Sequence, residues 1–462
     1  MKILLAGHNL DYNIIRTLKD KSGTKQDLTP ETISAAYARI SRNPKPVNEL
    51  RAIAREEVDK ARQSNRKIVF DMGHNSVAEH AVFNIDVIGV SRFLVEEIEK
   101  FRLCSFTEKS QRYVLFDKDF VVPEEIRQAD LAGLFISTVE AQNDFYHEMY
   151  ENLRPYIFDK HKTLASDPAN RSMLEGWAKE DARYAISMAT ETQLGMTVNA
   201  RNLELMLRRL AALPLAEAQE YSAKLYAATK EIAPSLIRYT KATDYDKFTR
   251  RNLNRFSDAL IKKSQSKVKN AADVQLMSAS AAADNRAAAA LLFASSDANY
   301  AECLKTADKL TAQKKRSLFK TAFANLQIHD AVLRELETVD LQFELIASSS
   351  CFAQLKRHRM STIIAQEYNP HLGVTVPPSI KAIGRQKDFL DLMHRTQSTY
   401  EKIREKAPLA AVYVLTNAHR KRVLMKLNAR EMYHLARLRA DAHAQWDRSE
   451  ERRVGKECRS RW

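Results

Sequence analysis

Apolar and polar positions alternate with a period of two in two widely separated stretches of the chain. The first is VFNIDVIGV (82–90) and the second is VDLQFEL (339–345). Period two sends successive side chains to opposite faces, so each stretch predicts a strand with one buried and one polar face. Each strand leads into a short apolar segment that ends in clustered cations, which we interpret as a basic helix end.

The same order of parts occurs twice along the chain. Helical patterns precede the two strands, at 29–42 and 279–296, and an NAR tripeptide in a helical context follows them, at 197–210 and 426–439. Recurrence of several elements in one order, at a spacing of roughly 250 residues, indicates an internal duplication.

The duplication predicts the domain boundaries. We expect repeat one over 1–240, a basic linker over 241–271 and repeat two over 272–447. Residues 448–462 are charged and lack apolar periodicity, and we interpret them as a non-native-looking tail outside the fold, so the native-looking sequence stops at Asp447.

Composition favours a helix-rich protein. The 462 residues are 45% hydrophobic, with only 10 Gly and 12 Pro, and the stretches between the strands are rich in good helix formers. We predict an α+β fold in which each repeat is a small, mainly antiparallel sheet packed with long helices.

Charge and cysteine content narrow the functional classes. A formal net charge of +15 favours anionic partners such as nucleotides or nucleic acid. The four cysteines have no CxxC pair and no metal-ligand spacing, which is typical of a reduced, cytoplasmic protein. No uninterrupted apolar run reaches about 18 residues, so we expect no membrane span.

Four separated motifs carry a family resemblance. They are HNSVAEH at 74–80, SFTEKSQRY at 105–113, RHRMST at 357–362 and NAREMYHLARLRADAHAQW at 428–446. In this order they resemble the flavin-dependent thymidylate synthases (the ThyX/Thy1 family), here in a tandem-duplicated form with complementary partial motifs.

Neither repeat keeps the whole pattern. In repeat one the RHR position reads Lys100-Phe101-Arg102, Glu97 stands for the family's glutamine, and Leu210 replaces the late arginine. In repeat two the segment IIAQEYNP lacks the ExSxR pattern, and Val412 stands at the position matching Arg183. Because each repeat keeps what the other has lost, we infer one composite site that draws on both.

The resemblance implies the following site residues, grouped by expected role. Catalytic residues are Arg439 and Ser110. Contacts to FAD are Ser76, Arg357, His358, Arg359, Glu108, Asn428, Arg430 and His434. Contacts to dUMP are Gln354, Arg357, Glu108, Ser110, Arg112, Arg183 and Arg439.

The implied reaction is reductive methylation of dUMP to dTMP, with FAD as cofactor, NADPH as reductant and methylenetetrahydrofolate as cosubstrate. The resemblance also implies a homodimer that imitates an assembly of four repeats. The HNSVAEH element has no third ligand at usual zinc spacing, so we expect no metal.

Two other functions stay open from the sequence. The first is a catalytically degenerate paralogue that binds flavin or nucleotide without turnover, suggested by the lost motif halves. The second is a nucleic-acid-binding protein, suggested by the charge and the basic linker. We rank it last because the chain has no RNP-like aromatic motif and no zinc finger.

Overall fold

The structure is a computed structural model. It describes residues 1–11, 13–15, 28–40, 43–261, 273–327 and 329–439, and for residues 438 and 439 it describes the backbone alone. The predicted tail over 448–462 lies outside the described residues.

The first sheet has four antiparallel strands in the order β1-β2-β4-β3. The strands are β1 (Lys2–His8), β2 (Val82–Ser91), β3 (Ser105–Glu108) and β4 (Glu191–Asn199). The alternation in β2 has the predicted effect, because Phe83, Ile85 and Val87 are all buried while Asn84 and Asp86 are exposed.

Eleven α-helices lie in this half of the described chain. They are α1 (Glu31–Arg39), α2 (Val47–Glu56), α3 (Val58–Arg66), α4 (Arg92–Ile98), α5 (Glu124–Gln128), α6 (Ala132–Lys160), α7 (Lys162–Ala165), α8 (Arg171–Ala182), α9 (Ala200–Ala211), α10 (Ala216–Thr229) and α11 (Asp244–Leu260). Helix α11 occupies much of the predicted linker, and its start is a capping box between Thr243 and Asp246.

The second sheet repeats the arrangement of the first, with the order β5-β6-β8-β7. Its strands are β5 (Val274–Ala279), β6 (Asp340–Ser348), β7 (Thr362–Ala365) and β8 (Arg420–Asn428). Leu341, Phe343 and Leu345 are buried, as their alternation predicts.

Seven further α-helices follow in the described part of this half. They are α12 (Ala283–Ala294), α13 (Tyr300–Lys309), α14 (Ala312–Phe323), α15 (Ser349–Leu355), α16 (Pro378–Ala382), α17 (Gln386–Lys406) and α18 (Ala429–Arg439). Short 3-10 turns cover Asn75–His80, Pro168–Asn170, Arg183–Ala185, Arg334–Thr338, Pro370–Leu372 and Ala410–Val414, and a π-helical turn covers Lys67–Asp71. Two antiparallel sheets with many helices confirm the α+β prediction.

The chain divides into two compact units, counting the described residues within each range. Unit one comprises Met1–Lys179, Ile186–Ser266 and His394–Leu415, and unit two comprises Glu180–Ala185, Lys267–Met393 and Thr416–Trp462. Each unit therefore contains one sheet together with a segment from the other predicted repeat.

The borrowed segment of unit one is bonded to the long helix α6. Gln142 donates from Nε2 to Thr396 Oγ1 at 2.8 Å and to the Val414 carbonyl at 2.9 Å. The backbone N–H of Met188 donates to the carbonyl of Leu415 at 2.7 Å. These groups are buried, so each bond satisfies a polar atom that would be costly to leave without a partner.

Candidate functional site

The RHR motif lies in a tight turn at the end of helix α15. Ser348 caps the start of this helix, and its Oγ accepts a hydrogen bond from the N–H of Cys351 at 3.0 Å. It ends in a turn in which the His358 N–H donates to the Leu355 carbonyl at 3.1 Å. As a result, Arg357 and Arg359 are exposed while the histidine between them is buried.

His358 makes a buried contact with a carboxylate. Its Nδ1 lies 3.0 Å from Oε1 of Glu431, and the two side chains are 3% and 9% exposed. The ring of His434 meets it edge-on, with centroids 6.4 Å apart. Within the described part of the chain, no hydrogen-bonding group reaches the buried Nε2 atom. A buried ring nitrogen without a protein partner fits a site for a polar ligand such as FAD.

Two other predicted flavin contacts in unit two already bind protein groups. Asn428 caps helix α18, with its Oδ1 accepting from the Glu431 N–H at 2.8 Å. Arg430 donates from Nε to the Val332 carbonyl at 2.8 Å and from Nη1 to Glu337 at 3.0 Å. Both contacts hold the helix that carries Glu431 and His434.

Arg183, from the first predicted repeat, lies beside helix α15 of the second within unit two. Its Nη2 donates to Ser350 Oγ at 2.8 Å, and the guanidinium side chain is only 4% exposed. Asn417 holds the backbone here, donating from Nδ2 to the Arg183 carbonyl at 2.9 Å. Ser350 lies four residues before Gln354, so both side chains share one helix face. One compact unit thus brings together predicted ligand-binding residues from both repeats.

The predicted role of Arg439 concerns a side chain outside the described residues. Its backbone ends helix α18. On the preceding turns of this helix, Glu431 and Leu435 are both buried.

In unit one, Glu108 ends strand β3 and pairs with a buried arginine. Arg92 Nη1 lies 3.3 Å from Glu108 Oε1, and the side chains are 4% and 8% exposed. Arg92 is the first residue of helix α4, so this pair joins the sheet edge to that helix.

The loop after β3 carries Ser110 and Arg112. The Ser110 hydroxyl accepts from the Arg112 N–H at 3.2 Å, which shapes the loop locally. Helix α8 packs against it: Lys179 Nζ donates to the Tyr113 carbonyl at 3.2 Å, and a Cβ added at Gly176 would lie 3.6 Å from the Arg112 carbonyl oxygen. Both predicted dUMP contacts are half-buried on this supported loop.

Ser76 lies exposed in the 3-10 turn Asn75–His80. This turn is held by the His80 carbonyl, which accepts from Asn9 Nδ2 at 2.8 Å. The His80 ring also meets the Tyr37 ring edge-on at 4.7 Å. Among the described residues, no group of three or more His, Cys, Asp or Glu side chains could hold a metal ion.

Sequence reasoning missed two features near the motif. The first is Ser350, the partner of Arg183. Its spacing of four residues from Gln354 could have predicted that both side chains lie on one helix face. Lys421 is 4% exposed, with its Nζ 4.1 Å from the Phe352 ring centroid and 3.8 Å from that of Tyr368. Its period-two spacing from Val423 could have predicted that this lysine is buried.

Comparison with known proteins identifies the family. The family model described as "Thymidylate synthase complementing protein" matches residues 25–235 and 261–459. The chain belongs to this family, which includes the flavin-dependent thymidylate synthases of the ThyX type.

Individual relatives match one or both halves of the chain. The "Flavin-dependent thymidylate synthase" of Clostridium tetani (strain Massachusetts / E88) is 30% identical over 216 residues, which are 46% of this chain and 82% of the relative. The "UPF0159 protein" of Chlamydia muridarum (strain MoPn / Nigg) is 24% identical over 404 residues, 83% of this chain and 75% of the relative.

A solved structure is also similar. The crystal structure of flavin dependent thymidylate synthase ThyX from Helicobacter pylori, complexed with FAD and dUMP, aligns with 52% of this chain and 100% of its own. The sequence identity is 16% and the TM-score is 0.33. Among the described residues of the present chain, no helix is long and apolar enough to cross a membrane.

Proposed function

We propose that this protein is an FAD-dependent thymidylate synthase. It reductively methylates dUMP to dTMP with methylenetetrahydrofolate and NADPH, at one site that draws on both repeats. The observation that carries the proposal is the 2.8 Å hydrogen bond from Arg183 of repeat one to Ser350 of repeat two. It supports a shared site because Ser350 lies one helical turn before Gln354.

The cofactor is held by the RHR turn in this proposal. Arg357 and Arg359 are exposed on either side of a buried histidine, which suits two guanidinium groups that bind phosphate. His358 offers Nε2 to the cofactor. Asn428, Arg430 and His434, on the neighbouring helix α18, are the further proposed contacts of repeat two. In repeat one, Ser76 and Glu108 are the proposed further contacts.

The nucleotide is held by arginines from repeat one and the glutamine of repeat two. Arg112 and Arg183 bind the dUMP phosphate, with Ser110 as a hydroxyl partner, and Gln354 orients the nucleotide. Arg439 faces the uracil and stabilises negative charge that develops on the ring, a role that suits a side chain that stays charged when buried.

Bound FAD would supply the redox chemistry that joins NADPH and methylenetetrahydrofolate to the nucleotide. The protein's own task is therefore to orient the ligands, neutralise their phosphates and exclude water. The family resemblance implies no cysteine nucleophile, and the cysteines within the described residues, Cys104, Cys303 and Cys351, are all buried.

A second candidate is a protein that binds flavin or nucleotide without turnover. In unit one, at the place that corresponds to Ser350, Phe93 packs its ring against Tyr413, with centroids 5.0 Å apart. Val412 and Phe93 stand at the positions that match Arg183 and Ser350, and neither side chain can form the corresponding hydrogen bond. A catalytic site would therefore have to rely on the Arg183–Ser350 contact alone.

Two measurements separate these candidates. Purified protein is expected to show flavin absorbance in the visible range, or to gain it on reconstitution with FAD. Tritium release from labelled dUMP, with folate and NADPH supplied, then tests turnover. Colourless protein that takes up no FAD contradicts the first candidate and leaves only nucleotide binding to the second, and bound flavin without tritium release favours the second.

We also propose that the chain functions as a homodimer. The mass in solution, measured with and without dUMP, tests this directly. A monomer that turns over dUMP would contradict the dimer while leaving the reaction in place.

A further inference from the structure

We propose that Glu431 is a positioning residue for His358. Its carboxylate accepts the hydrogen on Nδ1 of the imidazole, which turns Nε2 toward the ligand as the nitrogen available for a hydrogen bond. The inference rests on the proposed function in one respect, which is that the ligand at Nε2 is the flavin cofactor.

The geometry separates the two ring nitrogens clearly. Nδ1 lies 3.0 Å from Glu431 Oε1, whereas Nε2 is buried and has no hydrogen-bonding partner among the described residues. An ionised carboxylate accepts hydrogen bonds and donates none, so in the proposed arrangement the hydrogen of this contact belongs to Nδ1. Which nitrogen of a histidine serves a ligand is set by the bond that the other nitrogen makes.

Glu431 is itself held in place before it reaches the histidine. Its N–H donates to Asn428 Oδ1 at 2.8 Å, so it stands in the first turn of helix α18 at the third position after the cap. A glutamate at this position often bonds back to the N–H of the capping residue. Here its Oε1 bonds instead to a histidine 73 residues away in sequence.

Repeat one provides an internal comparison. Asn199 and Asn428 occupy the same place, because each ends its strand opposite the first residue of the neighbouring strand, Val82 in one sheet and Asp340 in the other. Counting from these anchors, Asn202 corresponds to Glu431. Counting along the RHR turn, Phe101 corresponds to His358.

The histidine and the carboxylate are therefore absent together from repeat one. There, the Asn202 side chain turns back and donates from Nδ2 to Asn199 Oδ1 at 2.8 Å. The position of His434 is taken by Leu205. If the glutamate served only helix capping or packing, it would have no reason to be replaced together with the histidine. The paired replacement points to one polar function kept in repeat two.

Three variants test the proposal in the full-length protein. Glu431→Leu removes the acceptor, and Glu431→Gln keeps an acceptor oxygen without the charge. Asn202→Asp is the matched control, which places a carboxylate at the equivalent helix position opposite no histidine. Nitrogen-15 NMR of labelled histidines, assigned by loss of the signal in His358→Phe, reports which ring nitrogen carries hydrogen in flavin-free protein.

Wild type, Glu431→Gln and Asn202→Asp are expected to keep hydrogen on Nδ1 of His358, and Glu431→Leu to shift it to Nε2. By fluorescence titration, Glu431→Leu is expected to weaken FAD binding about tenfold, the size of one lost hydrogen bond of ordinary strength. Glu431→Gln is expected to bind FAD within about twofold of wild type, because it keeps an acceptor oxygen for Nδ1. Asn202→Asp is expected to do the same, because residue 202 has no contact with His358.

An unchanged His358 spectrum in Glu431→Leu overturns the positioning role, and so does unchanged FAD affinity alongside a shifted spectrum. If wild-type protein shows the expected spectrum and yet binds no FAD, the proposed function and the choice of ligand are overturned. The hydrogen bond by which Glu431 positions the imidazole would still be supported by that spectrum.

Discussion

Arg183 donates a hydrogen bond to Ser350 across 167 residues of sequence, inside a single compact unit. The arginine comes from the segment Glu180–Ala185, and the serine lies in the first turn of the helix that leads into the RHR turn. A site with complementary motif losses needs such a contact, because an arginine of repeat one must reach the residues kept by repeat two.

Replacing Arg183 with lysine is expected to weaken dUMP binding by at least about tenfold. A lysine ammonium is a point charge and cannot both bond Ser350 and present a planar fork to phosphate. Isothermal titration with dUMP measures the effect, and tritium release checks turnover.

The matched control for this change is Arg395→Lys. Arg395 donates from Nη2 to the Ser137 carbonyl at 3.0 Å in unit one, at an exposed position. We expect its dUMP affinity to equal that of wild type. Equal loss in both variants would show that the effect of Arg183 is structural.

Replacing Arg359 with alanine is expected to weaken FAD binding about tenfold, because an exposed guanidinium that pairs with phosphate is lost. Arg102 holds the equivalent place in repeat one, where Phe101 stands for the histidine. Arg102→Ala should leave FAD affinity within error of wild type in the same titration. Similar losses in both variants would argue for two flavin sites in place of one.

His419 is expected to make unit two sensitive to acid. Burial lowers its pKa from 6.5 to about 4, and its Nδ1 accepts a hydrogen bond from the Thr416 N–H at 2.9 Å. Since the unfolded chain binds the proton more readily, stability is fully present above about pH 6.5 and is lost as the pH falls toward 4. The loss is of the order of 3 kcal/mol.

His419→Asn keeps an acceptor near Thr416 but does not titrate. Its urea-unfolding midpoint is expected to fall less steeply than that of wild type over this pH range. His329→Asn, at an exposed histidine, should keep the wild-type slope. Parallel curves for wild type and His419→Asn would contradict the assignment.

Glu217 is expected to act in the opposite direction in unit one. Burial raises the pKa of this carboxyl above 4.5, although hydrogen bonds from Tyr413 Oη at 2.6 Å and Ser91 Oγ at 2.7 Å oppose the shift. A raised pKa contributes stability that is present below 4.5 and is lost as the pH rises through the folded-state value.

Glu217→Gln should therefore gain stability relative to wild type as the pH rises above 4.5. Urea unfolding at several pH values gives this difference, with Glu220→Gln on the exposed face of the same helix as the control. A constant difference between wild type and Glu217→Gln across the pH range would count against the raised pKa.

Much of the fold follows from local periodicity. Phe83 and Phe343 lie on the buried faces of their strands, as period two predicts, and the family motifs correctly indicated an α+β protein. Within the predicted linker, helix α11 begins at a capping box of Thr243 and Asp246, which the basic charge of this stretch did not reveal.

The part that could not be predicted concerns contacts between distant segments. Periodicity reports which face of an element is buried and not which partner covers it. Gln142 gave no signal that its amide would bond Thr396, and His358 gave none that its partner would be Glu431. Such pairings depend on which distant segments the fold brings together, and no short stretch of a single sequence reports this.

The exchange of segments between the units has a consequence for the gene. If the chain were cut within the linker and the two pieces separated, the amide of Gln142 would lose its partners Thr396 and Val414. Helix α6 would also lose the segment His394–Leu415, which belongs to the same unit. Unit one therefore draws these buried hydrogen bonds from both ends of the sequence, and a split gene would have to produce both pieces in the same cell for them to form.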